Sequence, residues 1–328
     1  MLKNNSFFIK NLKNIVLIGY SNLYNEIEVI NKELILNTYK ISSPSYRQNF
    51  EEKKNVKFIL KIDKKINQYF KEKKLNKNNT LFISFGSRWI FNKQQIKNTF
   101  FNNLINFHGT RLPLDAGGAG FSWRIMRGDR LGSNLAHIID EKIDAGPIIS
   151  YEEYIFPEFC KKPINYELFY SKQFFPFYRE LIKKIKLKKK LKLLQQNKSL
   201  GLYNPRLKTK INGWINWAWE AEDIYNFINS FDDPYNGAST SVNNKLNVQI
   251  KSVHLHKGEI TSHPYSKGIV IRKNKNWIIV SLGGKHSLIV EKVFFRKKNI
   301  LNTIKLGDRF ITNIQKLNKS QSYRATYK

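Results

Sequence analysis

The chain has 328 residues, 41% of them hydrophobic and 14% aromatic, so it is long enough for two domains with separate cores and too apolar to be disordered. Its 57 Lys and Arg residues against 25 Asp and Glu residues give a formal charge of +32. Such a charge favours binding to nucleic acid, to an acidic membrane surface or to a phosphorylated substrate. The alternative is that a compositional bias towards Lys, Asn and Ile produces a basic, solvated surface with no specific partner. The single cysteine, Cys160, excludes an intramolecular disulfide and a Cys-cluster metal site.

The N-terminal part of the chain alternates short apolar runs with helix-compatible segments. Apolar runs at 14–21, 56–62 and 80–86 are typical of buried parallel strands, and helical segments at 65–74 and 93–100 lie between or after them. This alternation predicts an open α/β sheet. The N-terminus contains no long uninterrupted apolar run, so it indicates neither a signal peptide nor a membrane span, and we expect a cytoplasmic protein.

The middle of the chain continues this pattern. We expect strands at 104–108 and 133–140 with a helix at 121–129 between them, and then a long helix at 165–195. Apolar residues amid lysines along that helix predict a solvated surface helix, with a nucleic-acid or membrane face as the alternative. Ligands bind at the carboxyl ends of strands in such sheets, so we expect function in the loops that follow residues 86, 108 and 140.

The last third of the chain has the sequence pattern of a small β-rich domain. A helix is expected at 217–231, before the turn signal "DDPYNGA", and short apolar segments split by Gly and Asn then indicate a β-barrel or sandwich. Gly, Asn and Pro at 195–210 break the helical pattern that precedes them. We therefore predict a first domain at 1–200, a linker at 201–210 and a second domain at 211–328.

The stretch "INFHGTRLPLDAGGAG", residues 105 to 120, places polar side chains at the end of an apolar run. If residues 104–108 are extended, Asn106 and His108 leave the same face of the strand and can converge on one ligand. Histidine carries protons near neutral pH and asparagine is a neutral donor, so the pair suits chemistry at a carbonyl. The alternative is a strand end whose Asn and His only satisfy backbone groups.

The next candidate acids lie in "HIIDEKIDAGPII". Asp140, Glu141 and Asp144 crowd a loop closed by Gly and Pro. A carboxylate beside His108 would fix its tautomer and stabilise the imidazolium. His137, on the preceding strand, is expected either to line the same pocket or to be satisfied within the core.

These motifs resemble a known family. "NFHGTRLP", followed about thirty residues later by "IDEKIDAGPII", resembles the Asn-x-His-Gly-x-x-Leu-Pro and Asp-x-Gly signature of formyltransferases that use 10-formyltetrahydrofolate. "ISFGSRWIF" is similar to the family's folate-binding strand and loop, and "INWAWEAEDIYNFINSFDDPYNGAST" to the start of the C-terminal domain of methionyl-tRNA formyltransferases and some sugar formyltransferases. The resemblance implies an α/β, Rossmann-like formyltransferase N-terminal domain with a mostly parallel sheet, and a smaller β-rich, OB-like C-terminal domain.

The resemblance also implies a mechanism and its residues. A substrate amine attacks the formyl carbon, and Asn106 with a protonated His108 stabilises the oxyanion while His108 and Asp144 manage the proton. Asn106, His108 and Asp144 are thereby the expected catalytic residues, 10-formyltetrahydrofolate is the expected co-substrate, and no metal is required. The residues expected at the folate site are Phe85, Gly86, Arg88, Trp89, Ile90, Asp140 and Glu141.

The loop after the His-Gly motif departs from the family pattern. Family members commonly continue after Leu-Pro with an Arg-Gly-containing loop and a Pro, whereas this chain has "LDAGGAGFSW". Neither Lys-Ser/Thr nor a GxGxxG pattern follows, so we interpret the run as a flexible, substrate-facing loop and not as a phosphate cradle. The residues expected to contact the acceptor are Thr110, Arg111, Asp115, Gly117, Gly118 and Trp123.

Three hypotheses remain for the partner. Two-domain length and the basic charge favour Met-tRNA as the acceptor. The loop after the first strand, "GYSNLYNEIEVINKE", lacks the long basic insertion of the family's tRNA enzymes, so we favour a small phosphate-bearing amine, in particular a nucleotide-linked amino sugar. A non-catalytic RNA-binding protein on the same scaffold is the third, against which the intact triad argues. A membrane partner is not expected, and a homodimer is compatible with the sequence.

Overall fold

The computed structural model describes residues 6–50, 56–63, 65–87, 89–118, 120–258 and 261–325. The strands of the N-terminal part are β1 (Ser6–Phe7), β2 (Asn14–Gly19), β3 (Asn37–Ser42), β4 (Val56–Phe58), β5 (Thr80–Phe85), β6 (Leu104–His108), β7 (Ala116–Gly117), β8 (Leu131–Ile138), β9 (Ile148–Ile155), β10 (Leu191–Lys192) and β11 (Tyr203–Asn204). Its helices are α1 (Tyr24–Glu33), α2 (Lys65–Glu72), α3 (Gly120–Met126), α4 (Pro163–Lys186) and the short α5 (Thr209–Asn212).

A seven-stranded sheet with the order β4-β3-β2-β5-β6-β8-β9 forms the centre of this part. The first five strands in this order, from β4 to β6, run parallel to one another. Strand β8 runs antiparallel to β6, and β9 runs antiparallel to β8. Every residue of β2 and β5 is buried, because α1 and α4 cover one face of the sheet and α2 covers the other. Near-continuous apolar strands therefore follow from burial on both faces.

The reversed direction of β8 changes how the acidic loop reaches the sheet. Residue Ile138, at the end of β8, pairs with Ile105 near the start of β6. The loop at 139–144 then folds back over the face that carries Asn106. The loop after residue 140 thus begins at the carboxyl end of an antiparallel strand, and it still lines the same cavity as the loops after residues 86 and 108.

The long lysine-rich helix is shorter than the predicted 165–195. Helix α4 ends at Lys186, and Lys188 has a φ of +60°, which the helix cannot continue through. Residues after it form β10, which pairs with β1, and Leu193 is buried in the core. Burial of this segment against the sheet thus outweighs its helical periodicity.

The C-terminal part is a curled antiparallel sheet with two helices. Its strands are β12 (Ala238–Val242), β13 (Leu246–His256), β14 (Val270–Lys273), β15 (Ile278–Ser281), β16 (Ser287–Phe295), β17 (Lys298–Asn299) and β18 (Phe310–Ile311), and its helices are α6 (Ala221–Ser230) and α7 (Ile314–Ser322). The order is β14-β15-β16-β13-β12-β18, with β17 paired to β16. The two edges approach each other, since Val270 N donates to Asp308 O at 2.8 Å and Phe310 N to Gly268 O at 2.8 Å. The predicted fold class, a mostly parallel α/β domain with a smaller β-rich domain, is confirmed.

Contacts between α3 and α6 hold the two parts together. Ser122 Oγ donates to the Ser230 carbonyl at 2.8 Å, and Lys162 Nζ lies 3.0 Å from the buried Asp232 carboxylate. The segment predicted as a linker contains β11, which pairs in parallel with β7. The exact domain boundaries stay predictions. Among the described residues, no helix has both the length and the apolar character that a membrane span needs.

Candidate active site

Strands β6 and β8 bring Asn106 and His137 side by side. The two residues are register partners in the sheet, and Asn106 Nδ2 lies 3.1 Å from His137 Nε2. His137 Nδ1 lies 2.9 Å from the Ile138 carbonyl, so Nδ1 carries the hydrogen and Nε2 accepts from Asn106. This bond fixes the orientation of the Asn106 amide.

Burial keeps the His137 imidazole neutral. The side chain is 2% exposed, and burial, reinforced by the nearby His108, lowers its pKa from about 6.5 to about 4, although Asp144 acts in the opposite direction. The neutral ring remains a hydrogen-bond acceptor throughout the physiological pH range. His137 therefore acts here as a fixed partner of Asn106 and not as a proton carrier.

The lowered pKa of His137 predicts a pH-dependent stability. As pH falls from about 6.5 towards about 4, the unfolded chain binds a proton that folded His137 does not, so the free energy of unfolding decreases. We expect a loss of about 2 kcal/mol between neutral pH and about pH 5 from this group. Urea unfolding of the wild type and of His137→Gln at both pH values measures it.

The variant should lack this part of the pH dependence, and His286→Gln, a change in a loop of the C-terminal part, should retain it. An equal dependence in the wild type and in His137→Gln would contradict the assignment.

His108 lies at the end of β6, and each of its two ring nitrogens faces a defined partner. Nε2 is 3.1 Å from the Asp115 carbonyl and therefore donates to it, and Thr110 Oγ1 donates to the same carbonyl at 2.8 Å. Nδ1 faces Asp144 Oδ1 at 3.9 Å. In the neutral ring Nδ1 has no hydrogen, so the His108–Asp144 pair has room for one additional proton.

The Asp144 carboxylate is positioned by two neighbouring segments. Its Oδ2 accepts from Gly117 N at 3.0 Å, and its own carbonyl accepts from Gln196 Nε2 at 2.9 Å. Gln196 also donates to the Gly146 carbonyl at 2.6 Å. Asp144 has a φ of +52°, in the left-handed region that residues with side chains seldom adopt. Such a conformation persists only where surrounding contacts determine it, which is frequent at active sites.

A cavity of about 310 Å³ adjoins these three side chains. Its wall combines segment 86–91, apart from residue 88, with segment 139–144, and His137 and Gly117 also line it. Apolar surface comes from the side chains of Trp89, Ile90 and Ile139. Polar groups come from the backbone of Gly117 and of the two wall segments. Among the described residues, no group of three or more His, Cys, Asp and Glu side chains is arranged to hold a metal ion.

Comparison with known proteins identifies the family of the C-terminal part. Residues 208–307 match the model described as "Formyl transferase, C-terminal domain". This region therefore belongs to the formyl transferase C-terminal domain family. The methionyl-tRNA formyltransferase of Clostridium perfringens (strain SM101 / Type A) is 26% identical over 213 residues, which are 62% of this chain and 65% of that protein. The chain thus matches slightly less than two thirds of that relative's length.

Solved formyltransferases share the fold of the chain. The N-formyltransferase from Helicobacter canadensis, in complex with folinic acid and dTDP-3-aminofucose, has a TM-score of 0.61 at 18% identity and covers 87% of this chain and 99% of its own. The methionyl-tRNA formyltransferase from Clostridium thermocellum has a TM-score of 0.51 at 19% identity, covering 76% and 96%. The predicted resemblance to the formyltransferase family is confirmed, and the predicted enzyme class agrees with it.

The residues expected at the folate site differ in their placement. Gly86, Trp89, Ile90, Asp140 and Glu141 line the cavity. The Phe85 ring instead lies in the core, stacked on Phe107 at 5.7 Å. Arg88 lies outside the described residues.

The loop that was expected to be flexible and to face the substrate is held by buried charges. Asp115 is 5% exposed, and its Oδ1 accepts from Arg127 Nη2 at 2.5 Å. Arg124, which is fully buried, and Arg111 also approach its carboxylate, at 3.9 and 3.8 Å, and both pair with Asp129. Burial lowers the pKa of Arg124, which the two aspartates counteract. Asp115 thus anchors the loop through its carboxylate, and its expected contact with the acceptor stays a prediction.

The other expected acceptor contacts are distributed around this loop. Gly117 lines the cavity, and Gly118 N donates to the Asn204 carbonyl at 2.9 Å. The Thr110 hydroxyl donates to the Asp115 carbonyl. Trp123 Nε1 donates to the Pro205 carbonyl at 2.9 Å. Arg111 faces the buried Asp115 and the partly buried Asp129.

Sequence reasoning missed the residues that hold the site in place. Gln196 belonged to a segment interpreted as a break in the pattern, and nothing in its local sequence indicates a contact with Asp144. The role of the Asp115 carbonyl was equally hidden, because a backbone group has no sequence signature. His137 could be found, since an imidazole within a buried strand that is adjacent to Asn106 requires a partner.

Proposed function

We propose that this protein transfers a formyl group from 10-formyltetrahydrofolate to a primary amine. The observation that carries the proposal is the convergence of Asn106, His108 and Asp144 beside one cavity, with His108 Nδ1 facing the Asp144 carboxylate at 3.9 Å. The family resemblance and the formyl transferase C-terminal domain support the same reaction.

The orientation of these side chains suits each part of the chemistry. The amine nitrogen bonds to the formyl carbon, the bond from that carbon to the folate nitrogen breaks, and one proton passes from the amine to the folate nitrogen. One Nδ2 hydrogen of Asn106 is held by His137, and the other is directed by that bond and can donate to the developing oxyanion. His108 Nδ1 accepts the proton, and Asp144 stabilises the resulting imidazolium.

The cavity beside the catalytic residues fits the pterin of the formyl donor. A flat bicyclic ring needs apolar surface on its faces and hydrogen-bonding groups at its edge, and segments 86–91 and 139–144 offer this combination. Gly86 has a φ of +53°, so the loop here takes a path that favours glycine. The complex of the H. canadensis enzyme with folinic acid supports the donor assignment by analogy.

For the acceptor we propose a nucleotide-linked amino sugar. Only four residues, 20–23, separate β2 from α1, and none of them is basic, so the structure has no counterpart of a basic tRNA-binding insertion there. The structural resemblance to the N-formyltransferase bound to dTDP-3-aminofucose supports this acceptor. Met-tRNA is the second candidate, because the sequence relatives include methionyl-tRNA formyltransferases.

A substrate panel tests both parts of the proposal. Purified protein is incubated with the formyl donor and with either amino-sugar nucleotides or Met-tRNA, and formylated product is measured by mass spectrometry. Formylation of an amino-sugar nucleotide is expected. Formylation of Met-tRNA alone would overturn the acceptor assignment, and no formylation of any amine, although the donor binds, would overturn the reaction.

The lysines at the end of α4 and just after it provide a test that distinguishes the two acceptors by the salt dependence of their affinity. Lys183, Lys184 and residues 188–190 are exposed lysines. A small nucleotide sugar engages few phosphate contacts, so its apparent affinity should fall only modestly with salt, and replacing these lysines by Gln should change its turnover less than twofold. A loss of about tenfold on Met-tRNA with the same variant, equivalent to about 1.4 kcal/mol, together with efficient wild-type formylation of that tRNA, would favour the second candidate.

A further inference from the structure

The surface around the end of α4 carries a high density of positive charge. Seven of the ten residues at 183–192 are Lys, whereas Lys and Arg together make up 57 of the 328 residues of the chain. This concentration exceeds the general compositional bias. Lys183, Lys184 and residues 188–190 are exposed, and none of them forms an ion pair within the described part of the chain.

Few acids lie near these lysines. The sequence contains no Asp or Glu between Glu180 and Glu220. Glu33, at the end of α1, is paired with Arg179 of α4. The positive charge at the end of α4 is therefore left without neighbouring carboxylates to neutralise it.

Other loops bring further lysines to the same end of the sheet. Lys13 N donates to the Asn79 carbonyl at 2.9 Å, and the Lys13 carbonyl accepts from Asn37 N at 2.9 Å. These bonds join the segments that precede β2, β3 and β5. The exposed lysines on the first and third of these segments are Lys10, Lys13, Lys74 and Lys77.

Three exposed apolar side chains lie among the lysines. Leu187 is 61% exposed. Ile35 is 84% exposed, and Lys186 Nζ donates to the carbonyl of the adjacent Leu34. Phe8 is 42% exposed and directly follows β1, which pairs with β10. The tertiary structure thus gathers apolar side chains from three separate segments, and we call the lysines of 183–192 and these three side chains the basic patch.

The composition of the basic patch favours a lipid surface over RNA as its partner. Its basic side chains are all Lys, whose compact charge attracts phosphates without the planar fork that arginine offers to a nucleic acid. Ile35 and Leu187 provide no ring for stacking on bases, whereas aliphatic side chains gain free energy on entering the boundary of the acyl chains. Lysine clusters with interspersed apolar side chains are typical of protein surfaces that lie on anionic membranes.

We propose that the basic patch docks this protein on an anionic lipid surface. The lysines contact the lipid phosphates, and Phe8, Ile35 and Leu187 insert between the headgroups. The patch lies beside the amino ends of β2 and β3, whereas His108 is at the carboxyl end of β6, which runs parallel to them. The catalytic cavity therefore faces away from the lipid. This peripheral docking replaces the sequence-based expectation of a solvated helix without a membrane partner, and it is independent of the proposed formyl transfer.

Cosedimentation of the full chain with lipid vesicles tests the proposal. The protein should bind vesicles of phosphatidylcholine with about 30% phosphatidylglycerol at about 0.1 M salt, and it should not bind vesicles of phosphatidylcholine alone. Replacing Lys183, Lys184 and the lysines at 188–190 by Gln should weaken binding at least about 100-fold, because each lysine near an anionic surface contributes severalfold to the affinity. Circular dichroism and thermal unfolding verify that the variant folds.

The matched control replaces five exposed lysines of the C-terminal domain by Gln and so changes the net charge equally. They are Lys245, Lys257, Lys275, Lys285 and Lys297. Vesicle affinity should change less than about threefold in this control. An effect of total charge alone would instead reduce the affinity equally in both variants.

A fluorescent label tests the insertion of the apolar side chains. The native Cys160 is buried, so Leu187→Cys can be labelled selectively with an environment-sensitive dye. Its emission should shift to the blue on addition of the anionic vesicles, whereas the same dye at Leu306→Cys should not respond, although Leu306 is 64% exposed. The double variant Ile35→Ser with Leu187→Ser should bind the vesicles about tenfold more weakly.

Four results would overturn the proposal. They are no binding to anionic vesicles, an equal loss of binding in the control lysine variant, a label at residue 187 that does not respond to bound vesicles, and binding of polyuridylate through the five patch lysines without any binding of vesicles. The last result would identify RNA as the partner of the basic patch.

Discussion

Replacing His108 by Ala, or Asp144 by Asn, should lower the turnover number by about two to four orders of magnitude. In the first variant no group accepts the amine proton, and in the second the imidazolium loses the carboxylate that faces its Nδ1 at 3.9 Å. Asn106→Ala should cost about two to three orders of magnitude, since it removes the amide donor to the oxyanion. Steady-state kinetics on the acceptor identified by the substrate panel measures these effects.

The affinity for the formyl donor should change little in these variants, because the three side chains act mainly on the transition state. Fluorescence titration with folinic acid checks this. Asp223→Asn, an exposed carboxylate on α6, is the matched control and should keep full turnover. Near wild-type turnover in His108→Ala or Asp144→Asn would remove that residue from the mechanism.

Replacing Asp115 by Ala should destabilise the protein by about 3–5 kcal/mol, the range seen when one partner of a buried ion pair is removed. The change leaves Arg124, which has no exposed surface, with Asp129 as its remaining carboxylate. It also removes the 2.5 Å contact with Arg127. Urea unfolding of the variant against Asp223→Ala, an exposed acid, measures the loss.

The same variant should lose turnover beyond what its stability explains. Asp115 provides the carbonyl that accepts from His108 Nε2, and the adjacent β7 provides the amide that donates to Asp144. Displacement of this loop by about 1 Å can reduce the rate about 100-fold while binding of the donor is kept. Asp115→Asn retains most of the packing, so its turnover should lie between that of the wild type and that of Asp115→Ala. A destabilisation below about 1 kcal/mol in Asp115→Ala would show that the arginines are satisfied without it.

The sequence by itself determined the α/β order of the first domain and the β-rich character of the second. Continuous apolar runs determine strands such as β2 and β5, because burial on both faces favours apolar residues at most positions. It also determined that Asn106 and His108 share a face, since alternate residues of a strand point the same way. The family resemblance then added the formyl transfer chemistry, which periodicity alone does not contain.

Only the tertiary structure decided which groups complete the site. Before the resemblance was considered, Asp140, Glu141 and Asp144 were equivalent candidates for the partner of His108. The structure places Asp144 there through Gln196 and Gly117.

In the tertiary structure, Asp115 is buried among arginines, where the sequence indicated a flexible loop. Helix α4 ends at Lys186, and Leu193 beyond it is buried. These outcomes depend on contacts between residues far apart in the chain, whose free energies are comparable to or larger than local propensities and leave no periodic trace in the sequence.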